Sequence, residues 1–201
     1  MIMEQRRYDV FDFNGTLYDG ECLEDFSKYV AEVFDPARKK SIPFAYWSFL
    51  LYKLFGSVRS ADRVMQAFVK PGDDVADMVE SFWRVYHYKL CRQMLERVEK
   101  SKHVAIVTSG PGFLIEGAKK YIGDVEMICS TYNLEQQRYT CINTGPQKAE
   151  SWKRLHPNDS IDKVFTDTKR KDDPLWQIAD GWLYIVEHGK IVEICCHDNA
   201  E

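Results

Sequence analysis

Apolar and polar positions alternate with two different periods along this chain, and the change from one to the other divides it. Residues 8–13 form a short apolar run interrupted by Asp9 and Asp12. The run stops at Asn14-Gly15, a turn signal, which predicts a buried strand with its last residues at a sheet edge. From Cys22 the apolar residues Leu23, Phe26, Tyr29, Val30 and Val33 recur at helical spacing, and Pro36 ends that segment. Residues 41–70 read as two helices broken at Gly56-Ser57, with Pro71-Gly72 as the next break. Val75, Met78, Val79, Phe82, Tyr86, Leu90 and Met94 then mark one face of a single long helix reaching about residue 98. Residues 22–97 therefore carry helical pattern and no strand signal.

Beyond that point short apolar runs return. Residues 103–107 (HVAIV) predict a strand, followed by Thr108-Ser109-Gly110-Pro111-Gly112 and a helix from about Phe113. A strand is expected over 125–129, a hairpin over 132–142 around Glu135-Gln136-Gln137, and a helix over 147–155. A strand over 163–166 and a short helix over 174–179 follow. Strands at 182–186 and 191–195, turned at His188-Gly189, close the chain. Strands alternating with helices imply an α/β fold with a parallel sheet and crossover connections. The division is a core of residues 1–21 and 98–201 interrupted early by a helical insertion, 22–97, with no internal repeat.

Composition narrows the class. At 201 residues, with 45% hydrophobic and 29% charged, the chain suits one domain plus an insertion and excludes a disordered or low-complexity protein. A formal charge of −4 gives no basic excess of the kind a nucleic-acid binder shows. The six cysteines form no C-x-x-C pair, and Cys195-Cys196 fits neither a zinc knuckle nor an easy disulfide. The N-terminal residues contain no apolar signal-peptide core. Reduced thiols in a cytoplasmic protein are the expectation. The longest apolar stretch, 42–52, falls short of the ~20 residues of a spanning helix.

In open α/β sheets ligands bind beyond the carboxyl ends of the strands. Here that rule selects residues 12–16, 108–112 and 167–173. Asp12 and Asp167 brought together there would repel unless a cation lay between them, and hard oxygen donors suit Mg²⁺ with its waters and a substrate phosphate. Thr108 and the amides of Ser109 and Gly110 open onto a helix start, a natural anion seat. Lys148 could supply the balancing charge.

The set resembles the haloacid dehalogenase-like phosphohydrolases. Asp12-Phe13-Asn14-Gly15-Thr16-Leu17 is similar to that family's D-x-D-G-T-L, and Ile106-Val107-Thr108-Ser109-Gly110 to its second motif. Lys148 in Gly145-Pro146-Gln147-Lys148 resembles the third, and Asp167 with Asp172 the acidic fourth. The resemblance implies a Rossmann-like three-layer core, with 22–97 as the helical cap of the subclass that includes phosphoserine phosphatase. Within it Gly20 to Phe26, Arg138-Tyr139-Thr140 and Asp172 to Trp176 look nearest to the phosphatidylglycerophosphatase branch.

The roles implied by the resemblance are these. Asp12 would be the nucleophile of an aspartyl-phosphate pathway. Mg²⁺ would be held by Asp12, the backbone carbonyl of Asn14 and Asp167. Thr108 and Lys148 would hold the phosphoryl oxygens, with Ser109 and Gly110 beside them, and Asp172, with Asp173 as its rival, would steer a water. Lys153 and Lys163 compete with Lys148. Glu21 stands where relatives place a substrate-contacting acid, though a Glu before a helix also serves as a first-turn charge.

One departure matters. Active phosphatases of the family carry Asp two residues after the nucleophile, where this chain has Asn14. An amide keeps the carbonyl for a metal but shuttles no proton, and acid–base help is worth roughly 10² to 10⁴ in rate. The expectation is a slow phosphomonoester hydrolase acting on a small or lipid phosphate ester. The alternatives are an impaired phosphate- or metal-binding protein and a phosphotransferase. Lys169-Arg170-Lys171 is either a solvated run or a steering patch for an anion. The stretch 44–55, apolar nearly all round, is either cap core buried against 75–98 or a lipid-facing patch beside Arg38-Lys39-Lys40. The histidines, including His87 and His197, show no ligand spacing.

Overall fold

The computed structural model describes residues 5–55, 57–168 and 173–196. The first strand, β1 (Arg7–Phe11), is buried from Tyr8 onward and pairs on both sides, with residues 104–106 and 160–165, so that its carboxyl end leads out at the edge where the chain leaves the sheet. Alternation along it separates two cores. Tyr8 and Val10 pack in one cluster with Trp152, Leu175 and Trp176, whereas Phe11 joins the other with Phe13, Phe26, Phe82 and Trp83.

Among the described residues the regular elements between β1 and the next strand are helical, five α-helices with shorter helical turns at Val30–Phe34, Pro36–Ser41 and His87–Lys89. The α-helices are α1 (Cys22–Tyr29), α2 (Ile42–Phe55), α3 (Val58–Phe68), α4 (Val75–Tyr86) and α5 (Arg92–Lys100). Then come β2 (Val104–Pro111), the short α6 (Gly112–Ile115) and α7 (Lys119–Ile122), β3 (Glu126–Asn133) and β4 (Arg138–Cys141). The chain continues through α8 (Pro146–Leu155), β5 (Ser160–Thr166), β6 (Trp182–Glu187) and β7 (Lys190–Cys196). The sheet order is β4-β3-β2-β1-β5-β6-β7. β3, β2, β1, β5 and β6 run parallel, and the antiparallel hairpin partners β4 and β7 cover the two edges. The result is the expected α/β fold, a mostly parallel sheet flanked by helices.

Three local expectations change. The long helix predicted to reach residue 98 breaks at 87–91, although no Gly or Pro stands there. Leu90 forms a bridge with Tyr18, Cys91 N–H donates to Leu17 O at 2.8 Å, and Asp19 N–H donates to Lys89 O at 2.8 Å. The backbone leaves the helix to pair with the loop that follows β1. The helix expected from Phe113 is cut into α6, a 3-10 turn and α7, because Gly117 lies under α4, where a Cβ would meet Val79 Cγ1 at 2.5 Å and Trp83 Cδ1 at 2.6 Å. The short helix expected over 174–179 is a single 3-10 turn, Trp176–Ile178.

Trp83 anchors α4 to the sheet side: it is 1% exposed, and its indole N–H donates to Leu114 O at 2.8 Å. Truncating a buried Trp of this kind costs roughly 3–5 kcal/mol. α2 behaves differently. It does not bury its large residues against α4. It packs on α3 and the 36–41 turn, turning the small Ala45 and Ser48 inward and leaving Phe44, Tyr46, Trp47, Leu54 and Phe55 exposed. Among the described residues no helix is long and apolar enough to cross a membrane.

Candidate active site

The carboxyl ends of β1, β2 and β5 lie side by side and open on one cavity of about 820 Å³. Asp12 is the first residue beyond β1. Its own N–H donates to Phe165 O on β5 at 2.8 Å, which fixes the backbone that carries the carboxylate. Oδ1 accepts the Phe13 N–H at 2.7 Å, and Oδ2 accepts from Lys148 Nζ at 2.5 Å. Lys148 comes from the first turn of α8, placed there by Pro146 at the helix start and by Gly145, whose φ of 54° only a glycine adopts freely. Both side chains are largely buried, 10% and 14% exposed, so the pair is shielded from solvent screening.

Asp167 follows β5 and lies against the backbone of Gly15 (φ 70°): a Cβ there would stand 2.3 Å from Asp167 Oδ2. Burial pushes the Asp167 carboxyl up, and the neighbouring charge of Asp12 pushes it further. Asp173 is raised too, by burial first, while the amides of Trp176 and Leu175 and the charge of Lys148 pull it back. One of its oxygens accepts the N–H groups of Leu175 and Trp176 at 2.9 and 3.2 Å. Asp12, Asn14, Glu21, Ser109, Lys148, Asp167 and Asp173 all line the cavity.

Asn14 is tied on both ends of its amide. Oδ1 accepts the Cys22 N–H at 3.0 Å at the start of α1, and Nδ2 donates to Glu21 Oε2 at 3.1 Å. Thr108 is fully buried, its hydroxyl accepting the Gly110 N–H at 3.1 Å, and among this pair Ser109 is the one that lines the cavity. Gly110 is held tight under α6, where a Cβ would meet Ile115 at 2.7 Å. Lys163 is drawn away to Asp9 at 3.1 Å, so it does not compete with Lys148, while Lys153 joins the cavity wall. Asp172, residues 169–171 and His197 lie outside the described residues; Asp173, like Asp167, stands in the cavity wall.

Sequence reasoning missed Thr144 and Gln177, which complete the wall. It also missed Asn143, buried beneath it and donating to Thr108 O at 3.1 Å and Ile128 O at 2.9 Å. Nothing in their local pattern marks them; the β4–α8 connection and the turn after β5 bring them in. The conspicuous signal was Gly145 just before Lys148.

The donor set can be tested for a cation. Two carboxylates face one another at a cost that shows in Asp167, and Lys148 offsets only part of it. Among the described residues no group of three or more His, Cys, Asp or Glu could hold a metal. The side chains of Asp12 and Asp167 offer hard oxygen donors, and these fit Mg²⁺, which completes its shell with carbonyls, waters and a phosphate.

The α/β fold thus gathers Asp12, Asp167 and Asp173, with Lys148 among them, at the carboxyl ends of its central strands. The model of the haloacid dehalogenase-like hydrolases matches residues 10–169, and the chain belongs to that family. A search of the curated proteins finds no match. Among solved structures, a protein of unknown function from Bordetella pertussis Tohama I is similar at 18% identity and a TM-score of 0.67, covering 86% of each chain. A phosphoserine phosphohydrolase-like protein from Francisella tularensis aligns at 15% identity and TM-score 0.56, over 86% of this chain and 82% of that one. A phosphoserine phosphatase, as a phospho-aspartyl intermediate analogue, aligns at 14% identity and TM-score 0.52, over 94% and 95%.

Proposed function

We propose that the chain is a phosphomonoester hydrolase in which Asp12 is the nucleophile, Lys148 neutralises the transferring group, and residues 22–97 cap the cavity. The observation that carries this reading is the Asp12 carboxylate, fixed by the Phe13 amide and Lys148 with Asp167 beside it. Asp12, the Asn14 carbonyl and Asp167 would hold Mg²⁺, which when bound supplies charge neutralisation for the phosphoryl oxygens. An oxygen of Asp12 attacks phosphorus while the bond to the leaving oxygen breaks, giving an aspartyl-phosphate and an alkoxide that takes its proton from water. Water then attacks phosphorus, releasing phosphate and restoring the carboxylate. Ser109 orients the phosphoryl oxygens, while the Gly110 amide is spent on the Thr108 hydroxyl buried behind it. Steering of the water falls to Asp172, as the family resemblance implies, or to its neighbour Asp173, which stands in the cavity wall.

Asn14 carries no ionisable proton and is committed to Cys22 and Glu21, so the leaving group departs without that acid and turnover is slow. Relatives of phosphoserine phosphatase type favour a small phosphate ester as substrate, with Glu21 at the cavity rim as a contact for it. A lipid phosphate is the second reading, favoured by the exposed apolar helix α2. The test is hydrolysis of an aryl phosphate with Mg²⁺ by native and Asp12→Asn protein, with acid-stable trapping of radiolabelled phosphate. Native protein should turn over and trap label and the variant neither; equal rates would refute the nucleophile. Transfer of label to an added alcohol in preference to water would favour a phosphotransferase.

A further inference from the structure

α2 is built inside out. Its fully buried positions are Ala45 and Ser48 and its half-buried ones include Ile42, Phe49, Leu50 and Tyr52, while Phe44, Trp47, Leu51, Leu54 and Phe55, spaced three, four, three and one apart, form an exposed stripe along one face. Each of these five is between 40% and 75% exposed, and Tyr46 flanks them at 66%. A monomeric soluble surface seldom shows so many large apolar side chains together.

Charge around the stripe is segregated. In a chain of net −4, residues 36–61 contain five bases (Arg38, Lys39, Lys40, Lys53, Arg59) and no acid. Arg38 is spent on Asp73 and Asp35, but Lys39, Lys40 and Arg59 are exposed and ion-paired with none of the described residues. An apolar stripe rich in Trp, Tyr and Phe with unpaired bases at its ends has the character of a helix lying in a lipid headgroup region. α2 is too short to span a bilayer. It also stands at the rim of the candidate site: Tyr52 on its inner side meets the hydroxyl of Thr144, a cavity-wall residue.

We propose that α2 is an interfacial docking helix for anionic membrane surfaces, its aromatic stripe entering the headgroup layer and Lys39, Lys40 and Arg59 meeting lipid phosphates. This goes beyond the hydrolase reading and needs no turnover, so the two stand or fall separately.

The experiment is co-sedimentation of the full chain with phosphatidylcholine vesicles with and without phosphatidylglycerol, alongside its molar mass in solution and its melting curve. The native protein should pellet with the anionic vesicles and weaken with salt. Lys39→Gln and Lys40→Gln should each reduce the partition coefficient about fivefold, the equivalent of ~1 kcal/mol per basic residue near the surface. Trp47→Glu, at an exposed position, should abolish binding while the melting curve stays the same. No pelleting with anionic vesicles would overturn the proposal, as would binding that Trp47→Glu leaves intact. A dimer that Trp47→Glu dissolves, with no vesicle binding, would assign the stripe to a second copy of this chain instead.

Discussion

Replacing Asn14 by Asp tests the chemistry of the site through one atom. In the native chain Asn14 Nδ2 donates to Glu21 Oε2 at 3.1 Å and Oδ1 accepts the Cys22 N–H at 3.0 Å. Asn14→Asp keeps the second bond and exchanges the first for two carboxylate oxygens in contact. Because Glu21 is exposed, the repulsion is screened and comes to about 1 kcal/mol at that separation. For a chain of this size that lowers Tm by about 2–4 °C. The same repulsion raises the carboxyl pKa by under about one unit, toward the range in which the group can pass a proton to the leaving oxygen. An alkyl phosphate should therefore be hydrolysed about 10² to 10⁴ times faster, a lowering of the barrier by about 3–5 kcal/mol, while an aryl phosphate changes little. Steady-state kinetics on both substrates, with a thermal melt of each protein, reads out every part. An alkyl-phosphate rate that stays the same or falls, with Tm lowered as expected, would refute the view that the missing proton donor limits this site.

Two further outcomes follow from the described contacts. Mg²⁺ at about a hundred times its Kd should stabilise the native chain by ~2.7 kcal/mol, visible as a rise in Tm, and Asp167→Asn should remove the rise; an equal rise in both would place the ion elsewhere. The Arg38 guanidinium holds the Asp73 carboxyl below its usual range, with bonds of 2.6 and 2.8 Å. A depressed folded-state pKa adds stability above the unfolded value near 4 that is lost as pH falls below it. Asp73→Asn should therefore cost roughly 1–3 kcal/mol at pH 7 and flatten the acid limb of the stability curve below about pH 4, measured by denaturant titration across pH.

The strands and the ends that carry chemistry were legible because their signals are local. An apolar run ending in Asp12-Phe13-Asn14-Gly15 or in Thr108-Ser109-Gly110 marks a strand and its exit whatever surrounds it. What escaped depends on distant partners. Leu90 keeps helical period, and only its pairing with Tyr18 ends the helix before it. The apolar pattern of α2 runs all round, so it could not say which face turns inward; Ala45 and Ser48 do so because α3 approaches closely there. Asp172 and Asp173 are equivalent as letters, and what brings Asp173 into the cavity wall is its capping of the turn at Trp176.

The moorings of the helical region are unequal. α4 is pinned by the indole of Trp83 and by the notch at Gly117, attachments that would expose buried aromatic surface if released. α3 is pinned in the same apolar cluster by Met65, Ala67 and Phe68, and its Asp62 and Gln66 add polar ties to the β3–β4 hairpin, whereas α2 gives that cluster Ala45 and the half-buried Ile42. Of these three helices α2 would expose the least apolar surface if it shifted, so a surface that grips its aromatic stripe acts on the most loosely seated of them.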